Sequence, residues 1–208
     1  MKKIYFILAV AAAMFFAAEA SAQIGVGVGY NLLNSVRKDA DLQDTNELNG
    51  FYVEATYDFN FLEKTWGELG IQPGVRFSYA GAHDSAELLG VHTKSSWDET
   101  YLDVPVFVKY SRELNKMGLF VFAGPVFSCG LSSDSKVGTN DVVTKINVYE
   151  RDAYGRFDLK LGVGFGVTCV DKLNVKLGYN FGLLNRNLGE FDLTYRTGVL
   201  YAGIGFAF

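Results

Sequence analysis

The chain has 208 residues and a formal net charge of −4, with 23 glycines, 17 phenylalanines and 12 tyrosines but only three prolines and two cysteines. Mild acidity argues against nucleic-acid binding, which needs a basic patch, and two cysteines are too few to staple a fold of this size. Beyond the N-terminus no apolar run reaches the roughly 20 residues of a membrane-spanning helix.

The opening MKKIYFILAVAAAMFFAAEASAQ carries Lys2 and Lys3, an apolar run from Ile4 to Ala18, and the small-x-small sequence Ala20-Ser21-Ala22. This is the layout of a secretory leader cut before Gln23. The rival reading, a retained anchor helix, is disfavoured by the shortness of the run, and no cysteine follows the cut to carry a lipid. Residues 1–22 are therefore expected to be a signal peptide and residues 23–208 a single domain, with 17 basic and 22 acidic residues.

Within that domain the recurring signal is alternation with period two, the mark of strands. QIGVGVGYNLL sets Ile24, Val26, Val28, Tyr30 and Leu32 against Gly25, Gly27, Gly29 and Asn31. FYVEATYDFNF sets Phe51, Val53, Ala55, Tyr57, Phe59 and Phe61 against Tyr52, Glu54, Thr56, Asp58 and Asn60. Residues 69–79 place Gly70, Gln72, Gly74, Arg76 and Ser78 on a polar face, and residues 101–110 place Asp103 and Lys109 opposite Leu102, Val104, Val106, Val108 and Tyr110. Residues 118–130 are apolar on both faces, which leaves their orientation open. Residues 156–170 and 173–185 form a hairpin about Asp171-Lys172. Its polar faces carry Arg156, Asp158, Lys160, Asn174, Lys176 and Asn180 among glycines. Residues 197–208 close the series with Leu200, Ala202, Ile204, Phe206 and Phe208 against Tyr201, Gly203, Gly205 and Ala207.

Eight strands of about ten residues exceed the usual five or six and suit a tilted crossing of a bilayer. Their connections alternate strictly: short at 62–67, 112–117 and 171–172, longer and polar at 37–49, 80–97, 131–153 and 186–195. That is the pattern of an outer-membrane barrel with tight periplasmic turns and larger outside loops. The expected fold is all-β, an eight-stranded antiparallel up-and-down transmembrane barrel. In lipid the apolar rows face outward and the polar rows inward. The lumen is then expected to hold Glu54, Asp58, Asp103 and Asp158 against Arg76, Lys109, Arg156, Lys160 and Lys176, close to charge balance. Aromatics gather in two bands: Phe59, Phe61, Trp66, Tyr110, Phe206 and Phe208 toward the periplasm, and Tyr30, Phe51, Tyr79, Tyr101, Phe157 and Phe181 toward the outside.

The ending YAGIGFAF resembles the C-terminal signal read by the barrel-insertion machinery, through Tyr201, Gly203, Phe206 and Phe208. YLDVPVFVKY, GIQPGVRFSYAGA and FVFAGPVFS resemble strands of the small outer-membrane β-barrel proteins common in Bacteroidetes, often labelled "porin family". The likeness spans nearly all of residues 23–208, and a PorT-like secretion-associated subgroup falls within it. It implies an eight-stranded barrel in the outer membrane of a Gram-negative cell and brings no catalytic or binding residues with it.

Other candidate sites read as structural. The glycine rows 25–29 and 162–166 keep strand period and precede no helix, so they make room in a narrow barrel rather than cradle phosphate. Asp39, Asp41, Asp44 and Glu47 crowd the first outer loop but lack the turn glycine of a calcium loop. His83 and His92 share the second outer loop with Asp84, Ser85, Ser95 and Ser96, the residue types of an acid–base pair without a recognised spacing. In the third loop, residues 141–150 alternate briefly and read as an exposed hairpin extension. Cys129 and Cys169 are expected at opposite ends of neighbouring strands. The functional expectation is a non-enzymatic barrel with a filled lumen, acting through its outer loops in binding, adhesion or envelope structure, with a small-solute pore or a lipid-modifying enzyme as alternatives. Its expected partners are outer-membrane lipid, the insertion machinery, and an extracellular protein or glycan; no cofactor and no nucleic acid is expected.

Overall fold

A computed structural model describes residues 22–39, 42–88, 91–114, 117–139, 142–147, 149, 154–169, 172–188 and 194–208; the segment expected to be a leader, apart from Ala22, lies outside the described residues. Nine strands follow one another: β1 Ala22–Asp39, β2 Leu42–Lys64, β3 Gly67–Leu88, β4 Val91–Leu114, β5 Met117–Thr139, β6 Val142–Asn147, β7 Phe157–Cys169, β8 Leu173–Gly182 and β9 Thr194–Ala207. Eight of them close a ring in the order β1-β2-β3-β4-β5-β7-β8-β9, every contact antiparallel, with β9 returning to β1. Closure leaves the wall without a free sheet edge, which a bilayer demands. The ninth strand, β6, pairs only with β5, from Asp134↔Asn147 to Thr139↔Val142.

Alternation sorts the faces as lipid requires. Val26, Val28, Phe51, Val53, Val121, Phe165, Val175 and Ile204 are exposed on the outside, while Tyr52, Glu54, Arg76, Asp103, Asp158 and Lys160 are buried within. Phe208, the last residue, donates its N–H to Ile24 O at 2.8 Å and packs its ring against Phe206. The terminal aromatic thus sits on the outer wall of the closing seam, 67 % exposed to the bilayer side.

Residues 118–130 resolve with Phe120, Phe122, Val126 and Ser128 inward and Leu119, Val121, Pro125 and Phe127 outward. Their aromatics fit inward because their cross-strand partners on β7 are glycines, Gly166 beside Phe120 and Gly164 beside Phe122. A Cβ on Gly164 or Gly166 would run into the Phe122 or Phe120 ring, and one on Gly162 would stand 2.7 Å from Phe107.

Two expectations need correction. The outer connections are not loops over most of their length. β1 and β2 remain paired up to Asp39↔Leu42, β3 and β4 up to Leu88↔Val91, and β4 and β5 up to Thr93↔Thr139. The arm sequences are largely polar at both parities and so lack the apolar row that marks a strand in sequence, yet their ladders persist. Tyr101, assigned above to the outer aromatic band, instead faces inward at 3 % exposure. It shares the parity of Asp103, and an irregularity between Thr100 and Tyr101 marks where β4 leaves the wall to form its outer arm.

A filled lumen and a bolted outer mouth

The inward row is built by register. Glu54 on β2 lies opposite Arg76 on β3, Arg76 opposite Asp103 on β4, Asp103 opposite Ser128 on β5, and Ser128 opposite Asp158 on β7. One ladder level thus carries three acids, with Arg76 between the first two and Ser128 between the last two. Arg76 donates from Nη2 to Glu54 Oε2 at 2.8 Å and lies 4.4 and 4.1 Å from the ring centres of Tyr52 and Tyr201. Lys176 also contacts the Glu54 carboxylate. Toward the periplasm, Asp58 accepts from Gln72 at 2.8 Å and from Lys109 at 3.1 Å. Toward the outside, Asp103 accepts from Ser78 at 3.3 Å and Ser128 at 2.5 Å, Lys160 donates to Ser128 at 3.1 Å, and Asp158 accepts from Thr197 at 2.7 Å.

The lumen residues read from sequence therefore gather inside the barrel, with one exception. Arg156 is exposed at the outer rim, where it donates to Leu131 O at 3.1 Å over the Tyr149 ring. It precedes the first residue of β7, so strand parity no longer governs it.

Sequence reasoning missed a second cluster at the outer mouth. Arg186, 2 % exposed, donates from Nε to Gly155 O at 2.9 Å, from Nη1 to Tyr101 Oη at 3.1 Å and from Nη2 to Tyr149 Oη at 2.8 Å. Tyr101 in turn donates to Glu99, which also accepts from Trp97 at 3.1 Å and Ser133 at 3.2 Å. An apolar layer of Leu33, Leu48, Ala80, Tyr101 and Val199 packs beside it. Burial opposes the Arg186 charge, yet the oxygens of Tyr101, Tyr149 and Glu99 hold its pKa above the usual value. Burial likewise raises the hydroxyls of Tyr149 and Tyr195, against the lowering pull of Arg186. Arg186 lies in a stretch without alternation, so nothing in the pattern announced it.

From the periplasmic end up to and including the outer mouth, the described inward residues include five acids (Glu54, Asp58, Glu99, Asp103, Asp158) and five cations (Arg76, Lys109, Lys160, Lys176, Arg186). A cavity of about 30 Å³ at the periplasmic end, lined by Glu54, Thr56, Gln72, Lys109, Phe120 and Lys176 among others, is room for water and little more.

Of the outer candidates, only His83, Ser95, Ser96 and Glu47 have described side chains. His83 is 70 % exposed with Nε2 3.9 Å from Asp98 Oδ1. The ladder sets His83 opposite Ser96 and His92 opposite Glu87, several residues further along the arm. Glu47 is exposed on β2, whereas Asp41 and the side chains of Asp39, Asp44, Asp84, Ser85 and His92 lie outside the described residues. Among the described residues no three of His, Cys, Asp and Glu converge for a metal.

A closed antiparallel ring with an apolar exterior and a charge-paired interior defines an outer-membrane β-barrel protein. The family model "outer membrane protein beta-barrel domain" matches residues 16–186, and the chain belongs to that family. Among solved structures it is similar to the attachment invasion locus protein Ail of Yersinia pestis in complex with the heparin analogue sucrose octasulfate, at 12 % identity and TM-score 0.48, covering 91 % of this chain and 100 % of that one. Neisserial surface protein A matches at 12 % identity and TM-score 0.41, covering 88 % and 97 %. OprG of Pseudomonas aeruginosa matches at 11 % identity and TM-score 0.40, covering 91 % and 97 %. No curated protein matches the chain.

Proposed function

We propose that this outer-membrane barrel is a closed, non-catalytic platform whose outer arms bind an extracellular protein or glycan, for adhesion or envelope structure. The supporting observation is the contrast between its two parts. The lumen is filled by paired charges and rings, while β1 to β6 continue well past the wall as paired arms. Arms of this length, held by ladders, present side chains in fixed rows at small entropic cost compared with free loops. In the same reading, residues 1–22 are the cleaved leader, and Tyr201, Gly203, Phe206 and Phe208 are read by the insertion machinery on arrival.

The test is surface crosslinking on intact cells followed by capture of the barrel. It compares the natural chain with one in which residues 36–45 and 84–95 are each replaced by a two-residue turn at the existing register. The trimmed barrel should still insert and should lose the crosslinked partners. Identical capture by both chains would sink the proposal.

A further inference from the structure

The last strand of the outer arms has one edge bonded and one edge bare. β6 pairs with β5 from Asp134↔Asn147 to Thr139↔Val142, and among the described residues no strand lies along its other edge. The wall below supplies none. The β5–β7 ladder stops at Cys129↔Phe157, and β8 ends at Gly182, on the lower rung of Lys160 and Val126. β6 therefore stands above the low side of the rim as the margin of a sheet with β5, β4 and β3. Ile146, Ser135, Trp97 and Ala82 share one rung of that sheet, and Val142, Thr139, Thr93 and Ala86 share another.

Bare edges are ordinarily blunted by proline, by a bulge or by charge. β6 reads VVTKIN, with no proline and with β-branched Val142, Val143, Thr144 and Ile146, and its ladder to β5 is unbroken. Such residues favour pairing. The foot of the strand is also fixed. Asn147 Oδ1 accepts from Tyr149 N–H at 3.0 Å, and the buried Tyr149 hydroxyl accepts from Arg186 at 2.8 Å. An edge already held in place gives up little freedom when a strand is added.

Charge indicates what kind of strand fits. Lys145 lies directly opposite Lys136 on β5, and like charges in that position disfavour each other. Lys136 has Asp98 Oδ2 at 3.8 Å on its β4 side. On the bare side of the same rung, an acidic residue would balance Lys145.

We infer that β6 is a docking edge for an extended, acid-bearing segment of an extracellular polypeptide, which adds as a strand antiparallel to Val142–Asn147. The inference rests on the reading that the arms bind an extracellular partner, and it narrows that partner to a protein and the site to one edge. Backbone N–H and C=O groups supply the affinity, and the Lys145 rung supplies the preference for acid.

The test is fluorescence anisotropy on the full-length barrel in detergent, with a labelled peptide of alternating valine and threonine around one central glutamate. Two further forms of the peptide are N-methylated at alternate residues, one set in each form. An added strand turns only every second N–H toward β6, so one methylated form should bind as before and the other about tenfold or more weakly. A lysine in place of the glutamate should weaken binding about fivefold, and K145E should reverse that preference. The heat-dependent SDS mobility of K145E checks that the barrel is intact. Equal behaviour of the two methylated forms would overturn strand addition, and a preference for glutamate unmoved by K145E would overturn the choice of β6. If the trimmed arms still lose their crosslinked partners in that case, the arm reading stands and this inference alone fails.

Discussion

Arg76 and Tyr201 meet with the guanidinium carbon 4.1 Å from the ring centre, and the ring of Tyr52 stands edge-on to that of Tyr201 at 88°. This cage exists because the walls behind it are bare. A Cβ on Gly178 would come within 2.5 Å of the Tyr201 ring, and one on Gly29 or Gly203 would run into Tyr52. Glycines that look like weak points in three strands are the sockets for the rings that hold the central cation.

Removing that cation should be far more harmful than its small volume suggests. Arg76→Met leaves the Glu54 carboxylate buried with Lys176 as its sole cation and two rings without their partner. The expected loss is about 3–5 kcal/mol, the range for breaking one side of a buried pair. The double variant R76M/E54Q should lose less than the two single changes together, since both act on one interaction. Urea-dependent unfolding from detergent micelles, or the temperature at which SDS mobility changes, measures each. Additive losses would mean that the two residues act independently.

The wall and its inward charges were legible because strands in lipid alternate so cleanly: Glu54, Asp58, Arg76, Asp103, Asp158 and Lys160 all follow from parity. What escaped did so where parity ceases to inform. Both faces of residues 118–130 are apolar, since Phe120 and Phe122 fill the space opposite Gly166 and Gly164. Such a match between paired strands, about 44 residues apart in sequence, leaves no local trace. The outer arms are polar on both faces, so they read as loops although their ladders hold. Arg186 belongs to neither pattern; only the fold brings it to Tyr101, 85 residues away in sequence.

Cys129 and Cys169 should remain free thiols even in an oxidising compartment. Cys129 is level with Phe157, and Cys169 is level with Met117, twelve residues away along β5. At about 3.3 Å per residue their levels differ by ~40 Å, against a Cα limit near 7 Å for a disulfide. Thiol labelling of the denatured, unreduced protein should count two reactive groups. A count of zero would break the β5–β7 register.

Alkali should loosen the outer mouth before the wall. Tyr149 and Tyr195 have pKa values raised by burial, so the folded state keeps their protons while an unfolded or opened mouth gives them up. The stabilising contribution is therefore constant below the ordinary tyrosine pKa of about 10 and declines as pH rises above it. Protease cleavage within residues 149–156 or 183–188 should accordingly accelerate above about pH 10 while the heat-modifiable band persists. Tyr149→Phe, which cannot ionise, should shift that onset to higher pH. An unchanged onset in the variant would remove Tyr149 from the mechanism.

The barrel should not behave as an open general pore. Eight strands enclose an interior that side chains can fill, and aqueous channels belong to barrels of about sixteen. Here the filling is specific: Arg76, Tyr52 and Tyr201 occupy the middle, Phe107, Phe120 and Phe122 line one wall, and Arg186 closes the outer mouth under Tyr149 and Tyr101. Opening a bore would mean separating buried ion pairs such as Arg76–Glu54 and Lys109–Asp58, which is costly unless new partners replace them. Purified protein in a planar bilayer should show no steady large conductance, and liposomes containing it should not take up small sugars. Arg186→Ala alone should leave conductance low, because the Arg76 layer still closes the lumen; the combined R186A/R76A variant, if it folds, should leak more than either single change. Steady porin-size channels from the unmodified monomer would contradict the filled lumen directly.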